Sequence, residues 1–144
     1  HANGAPSVSD DADFNSLLPV GDELYSVTHF ETRPATMYLS ELTQDADGNL
    51  TAISTRPVDF SSVGGLWVPC AGSVTPWNTH LGSEEYPPNA REIEAAQSYA
   101  DLDDYMLPMG RYFGVNTEVA PFSAFKAVFR PYNFGFPVEV AVNE

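Results

Sequence analysis

The chain has 144 residues, enough for one domain with a real core, and 43% hydrophobic against 18% charged residues excludes a disordered chain. Twenty acids against six bases give a formal charge of −14, which repels nucleic acid and anionic membranes. No run of about 18 apolar residues offers a transmembrane helix, and the single cysteine, Cys70, excludes an intrachain disulfide.

Twelve prolines and ten glycines cut the chain into short elements. Residues 1–13 are small, polar and acidic and read as an extended arm. Leu24, Tyr25, Val27 and Phe30 then give a short strand-like pattern. Met37, Leu39 and Glu41 alternate with Tyr38, Ser40 and Leu42, and the turn DADGN separates them from LTAIST, so a hairpin is expected. Asp-x-Asp-Gly resembles the opening of a calcium loop, but an EF-hand wants Gly sixth and Glu twelfth, where Leu50 and Arg56 stand. Gly64-Gly65 lead into a further strand, Leu66-Trp67-Val68, and the chain turns at Pro76. A helix is expected over 89–104, capped by Asn89 with Glu92 three residues on and striped by Ala90, Ile93, Ala96 and Ala100. Residues 107–137 read as loops and edge segments around one short strand or helix. Val138, Val140 and Val142 then share one face of a last strand, with Glu139 on the other.

The ligand-capable groups gather in CAGSVTPWNTHLGSEE, from Cys70 to Glu85. Thiolate suits borderline or soft metals and carboxylate suits hard ones. Two readings of the residues stand side by side. Cys70 and the Glu84-Glu85 pair share a cation across the turn, or Cys70 is a small buried hydrophobe beside solvated glutamates. Successive residues of an extended chain face opposite ways, so one glutamate ligates while the other braces or binds a second ion. His1 with His29 or His80 is a formal copper clasp that nothing nearby supports. No Walker loop, G-x-S-x-G, H-E-x-x-H or C-x-x-C occurs.

GGLWVPCAGSVTPWNTHLGSEEY resembles the signature of the PhoX-type alkaline phosphatase family, where a Cys-Ala-Gly block precedes Thr-Pro-Trp and a Glu-Glu pair. DFNSLLP and VTHFETRPATMYLSEL are similar to the family's early strands, and YNFGFPVEV to its Gly-aromatic-x-x-Glu strand. The resemblance implies a mainly β fold, a partial β-propeller of about two to three blades at ~40–45 residues each. Residues 14–144 would be an incomplete, N-terminal portion of that domain. It also implies phosphomonoester hydrolysis outside the cytoplasm (secreted, periplasmic or extracellular, or peripheral to a membrane assembly) with iron and calcium as cofactors. Carried over, Cys70 is an iron ligand, Glu84 or Glu85 binds iron or calcium, and Glu139 is the next carboxylate. Thr75, Trp77, Asn78 and His80 would surround them.

Four positions depart from the family pattern: Ser73 and Asn78 stand in place of glycine, His80 in place of an aromatic, and Ser83 where a second cysteine is common. The substituted loop and short chain keep a second expectation alive, a non-catalytic scaffold or binding subunit. A calcium-dependent adhesive or carbohydrate-binding domain rests only on acidity and aromatics. Open sheet edges need cover, from the remainder of the propeller or a partner chain. A phosphate dianion approaches a chain at −14 only if bound multivalent cations invert the local field.

Overall fold

In Ala12–Val20, Ser16 and Leu18 are buried while Asn15, Leu17 and Pro19 are exposed. This period of two makes the segment a strand, β1. The structure, a computed structural model, describes residues 9–143. The expectations for His1 and for residues 1–8 of the arm lie outside those residues. The arm gives way to strand at Ala12, because Gly21-Asp22 form a two-residue turn that folds β1 onto β2 (Glu23–Phe30) with Val20 opposite Glu23.

β3 (Thr36–Gln44) and β4 (Leu50–Pro57) complete a four-stranded antiparallel meander, ordered β1-β2-β3-β4. The expected hairpin turn lies between them. Asp45 accepts from the backbone N–H of Asp47 and Asn49 at 2.9 and 2.8 Å, which fixes the turn without an ion. The register places Val27 beside Leu39 and His29 beside Met37 on one face. That face buries Leu18, Val27, Met37 and Leu39 against Leu66 and Val140. β4 is exposed along its whole length.

A second sheet, ordered β5-β6-β7, joins Pro69–Val74 (β5), His80–Glu84 (β6) and Pro137–Val140 (β7). β5 lies along β1, which brings the two sheets together. The fold is thus mainly β, two antiparallel blade-like sheets with no closed barrel. Between β6 and β7 the chain forms short helices: α1 (Ala90–Ala95), α2 (Leu107–Tyr112) and α3 (Phe122–Val128). They close a second core around Trp67, Met109, Phe125 and Phe129. Phe122, Phe125, Phe129 and Phe134 stack in succession, their centroids 5.0–6.2 Å apart. None of the described helices is long and apolar enough to cross a membrane.

β7 ends at Val140 and leaves the expected Val142 outside the strand, and the expected elements differ from the observed ones in three further places. The helix begins as capped by Asn89, whose side chain accepts from Arg91 N–H, but ends at Ala95. Asp101 takes the N–H groups of Gln97 and Ser98, each at 2.9 Å, and so starts a separate 3-10 turn at Tyr99. Leu66-Trp67-Val68 is buried but is not a strand: a single bridge joins Leu66 to Ala35, and Val68 has φ +39°. Finally, 107–137 contains two helices, since Pro108 and Pro121 fall at helix starts, where the missing N–H costs nothing.

Candidate metal centre

Two β-bulges build the site. In β1 the register shifts between Ala12 and Asn15, so Asp13 and Phe14 oppose one residue of β2. In β5 it shifts between Pro69 and Gly72, which leaves Cys70 and Ala71 in the extra turn of chain. A bulge re-aims the side chains it carries, and these face each other because β1 lies along β5. Glu31 follows β2 directly and is tied to the start of β1 by its N–H on Asp11 C=O at 2.9 Å. The ligand atoms of Asp13, Glu31 and Cys70 consequently lie within 4.8 Å of one another.

The electrostatics follow from this crowding. The Cys70 thiol hydrogen-bonds to Asp13 and Glu31, and their acceptors, with partial burial and the charges of Asp13 and Glu85, push its pKa well up. Bonding with the thiol first, then with Glu31, holds Asp13 below the ordinary carboxylate range. Beside two carboxylates the sulfur keeps its proton until a cation displaces it. The mixed sulfur and oxygen donors suit a borderline metal with a harder neighbour. The donor set therefore fits the iron and calcium that the resemblance implies.

The remaining candidates fall in two places. Glu84 is buried and accepts from the backbone N–H of Trp67 and Gly135, both at 2.6 Å, fastening the 134–136 segment to Trp67. Burial pushes its carboxyl up and those N–H groups oppose the shift. Glu85 follows it, half-buried, and its charge bears on the Cys70 thiol. Glu139 sits at the far end of the β5–β6 hairpin, accepting from Trp77 Nε1 at 2.6 Å and Thr79 Oγ1 at 2.5 Å. Thr75 and Asn78 belong to that same tip: Thr75 Oγ1 bonds Thr79 Oγ1 at 2.7 Å, and Asn78 donates to Pro19 C=O at 2.6 Å. The structure does not bring Glu139, Thr75, Trp77 or Asn78 together with Cys70.

His80 opens β6, fully buried, and connects to the cysteine through a chain of side chains. Ser16 Oγ lies 2.7 Å from His80 Nδ1, His80 Nε2 lies 2.5 Å from His29 Nε2, and His29 Nδ1 lies 3.2 Å from the Cys70 carbonyl. The carbonyl only accepts, so His29 Nδ1 carries a proton. A neutral His29 then accepts at Nε2, which makes His80 donate from Nε2 and accept from Ser16. Desolvation supports the neutral forms: it lowers His29 and pushes His80 down to about 4. Gly82 leaves room for the pair, since a Cβ there would lie 2.7 Å from His29 Nε2.

Sequence reasoning missed Asp13 and Glu31, and named His29 only as a formal copper ligand. A signal existed. The pair Gly21-Asp22 marks a hairpin turn, and counting back from it brings Asp13 level with the end of β2.

A family model described as Alkaline phosphatase PhoX matches residues 28–144. The chain belongs to the PhoX alkaline phosphatase family. No curated protein and no solved structure matches it. PhoX membership points to a phosphatase-type function. Glu31, Cys70, Glu84, Glu85 and Glu139 all fall within the matched residues, whereas Asp13, Phe14 and Ser16 precede them.

Proposed function

We propose that this PhoX-family chain contributes a metal centre for the hydrolysis of phosphomonoesters, with Cys70, Asp13, Glu31 and Glu85 as the ligands nearest the metal. The observation that carries it is the meeting of one thiol and two carboxylates from two facing bulges. Iron at the sulfur and calcium among the carboxylates follow ligand preference. When bound, such ions offset charge on the phosphoryl group and activate an oxygen nucleophile. The chain's own groups do the rest. Glu84 braces Trp67 and the 134–136 segment, and the neutral His29–His80 pair holds the Cys70 backbone. Glu139 with Trp77 and Thr79 is a separate carboxylate position at the hairpin tip, open to a second ion. The full exposure of β4 supports cover from further strands of the same fold or from a partner chain, and we place the protein outside the cytoplasm with its family.

The test is metal content and phosphomonoesterase activity of Cys70→Ala beside the wild-type full chain. Loss of iron and of activity together is expected. Unchanged iron in the variant would show that the thiol is not a ligand.

A further inference from the structure

Among the described residues, Arg33 Nε is the buried side-chain donor with no hydrogen-bond acceptor. Its guanidinium is clamped between aromatic rings, 5.1 Å from the centroid of Trp67 and 4.5 Å from that of Tyr105. Trp67 is itself fixed, donating its backbone N–H to Glu84 and its indole N–H to Tyr86 C=O at 2.8 Å. The arginine is therefore held in one orientation with a donor unspent. Proteins seldom leave such a group unpaired without a water or ligand to meet it.

The surroundings point to an anion. Arg33 lines a groove of about 680 Å³ whose other charged groups are Arg111, Asp104 and Glu118, with Glu118 on Arg111 at 3.5 Å. Two cations against two anions make this groove neutral on a chain whose formal charge is −14. Two of the other bases are spent on structure: Lys126 donates to Glu94 C=O and Arg130 to Lys126 C=O, at helix ends. The groove shares a chain segment with the candidate metal centre. Val68 N–H bonds Thr32 C=O and Ala35 N–H bonds Leu66 C=O, so 32–35 and 66–68 run side by side. Glu31 lies two residues from Arg33, and Cys70 two from Val68, each about 7 Å of extended chain.

We infer that Arg33, two residues along the chain from Glu31, is an oxyanion-binding residue that takes the oxygens of inorganic phosphate, or of a monoester's phosphoryl group. The inference rests on the proposed function for its substrate class. A planar guanidinium matches two phosphate oxygens at once, which an ammonium does not.

The experiment is calorimetric titration of the metal-loaded full chain with inorganic phosphate, for wild type, Arg33→Lys and Arg33→Gln. Metal content should be the same in all three. Arg33→Gln should bind phosphate about 10- to 100-fold more weakly, the worth of a lost charged hydrogen bond, with Arg33→Lys between. Wild-type affinity in Arg33→Gln overturns the inference. Should the variants misfold, the Arg33 Nε–H resonance of the wild-type protein must shift as phosphate saturates; an unmoved resonance overturns it equally. Failure of monoester hydrolysis would sink the proposed function, yet phosphate binding would still be readable. Wild-type phosphate affinity in Arg33→Gln, with iron lost in Cys70→Ala, would sink the Arg33 inference alone.

Discussion

With two carboxylates beside it, the Cys70 thiol keeps its proton far more firmly than an ordinary cysteine. The largest cause is Asp13, which both accepts from the thiol and repels the thiolate. Asp13→Asn should therefore lower the thiol pKa of metal-free protein. Thiolate ultraviolet absorbance followed against pH reports it directly, and an unmoved titration would place Asp13 away from the sulfur. Glu31→Gln removes a charge from the same cluster and should weaken metal binding at least tenfold, read by competition with a chelator. Cys70 and Glu85 were legible as chemistry in the sequence because a lone thiol and paired acids stand out within sixteen residues. Asp13 and Glu31 were not, because Asp13 sits in an ordinary acidic run, Glu31 stands alone between Phe30 and Thr32, and they become partners of Cys70 only through two register shifts. Arg33 gave no signal at all: its setting depends on rings from residues 67 and 105.

The strands β1, β2, β5 and β6 meet over the Ser16–His80–His29 chain, so that network couples both sheets to the cysteine. Its pH dependence has a definite sign. The unfolded chain protonates a histidine near 6.5, while folded His80 resists until about 4. Its contribution is complete above pH 6.5, is lost as pH falls from 6.5 towards 4, and changes no further below. The span amounts to roughly 3 kcal/mol. His29 is lowered too and adds to the loss. Denaturant unfolding between pH 7 and pH 4 checks this, and His80→Asn should flatten the dependence; an equal slope in the variant would assign the loss elsewhere. Gly82→Ala should cost about 1–3 kcal/mol, because the added Cβ meets both His29 and the Met37 methyl within 2.8 Å. Wild-type thermal stability in that variant would mean the pair is not packed as described. Local signals predicted the DADGN hairpin and the Asn89 cap well. They failed on the length of α1, where Asp101 competes for backbone donors, and on α2 and α3, where prolines look like breakers but start helices.

Two sheets joined along β1 and β5, with helices packed on Trp67, leave the acidic cluster at the junction. A cation held there binds the folded chain and not the unfolded one, and so adds stability. Chelation should thus lower the thermal midpoint of the full chain, and restoring the metal at a hundredfold excess over its dissociation constant should regain about 2.7 kcal/mol. At this scale the motif around Cys70 made the family legible before any strand pairing was known, since that stretch lies within the residues the family model matches. Which carboxylates face the sulfur was decided by topology, which composition does not encode. The central claim is that sulfur and carboxylate oxygens share one metal, and X-ray absorption of the metal-loaded full chain tests it most directly. The account predicts a sulfur neighbour to the metal among oxygens, lost in Cys70→Ser while the fold persists. A metal shell of nitrogen and oxygen alone, identical in wild type and variant, would contradict it.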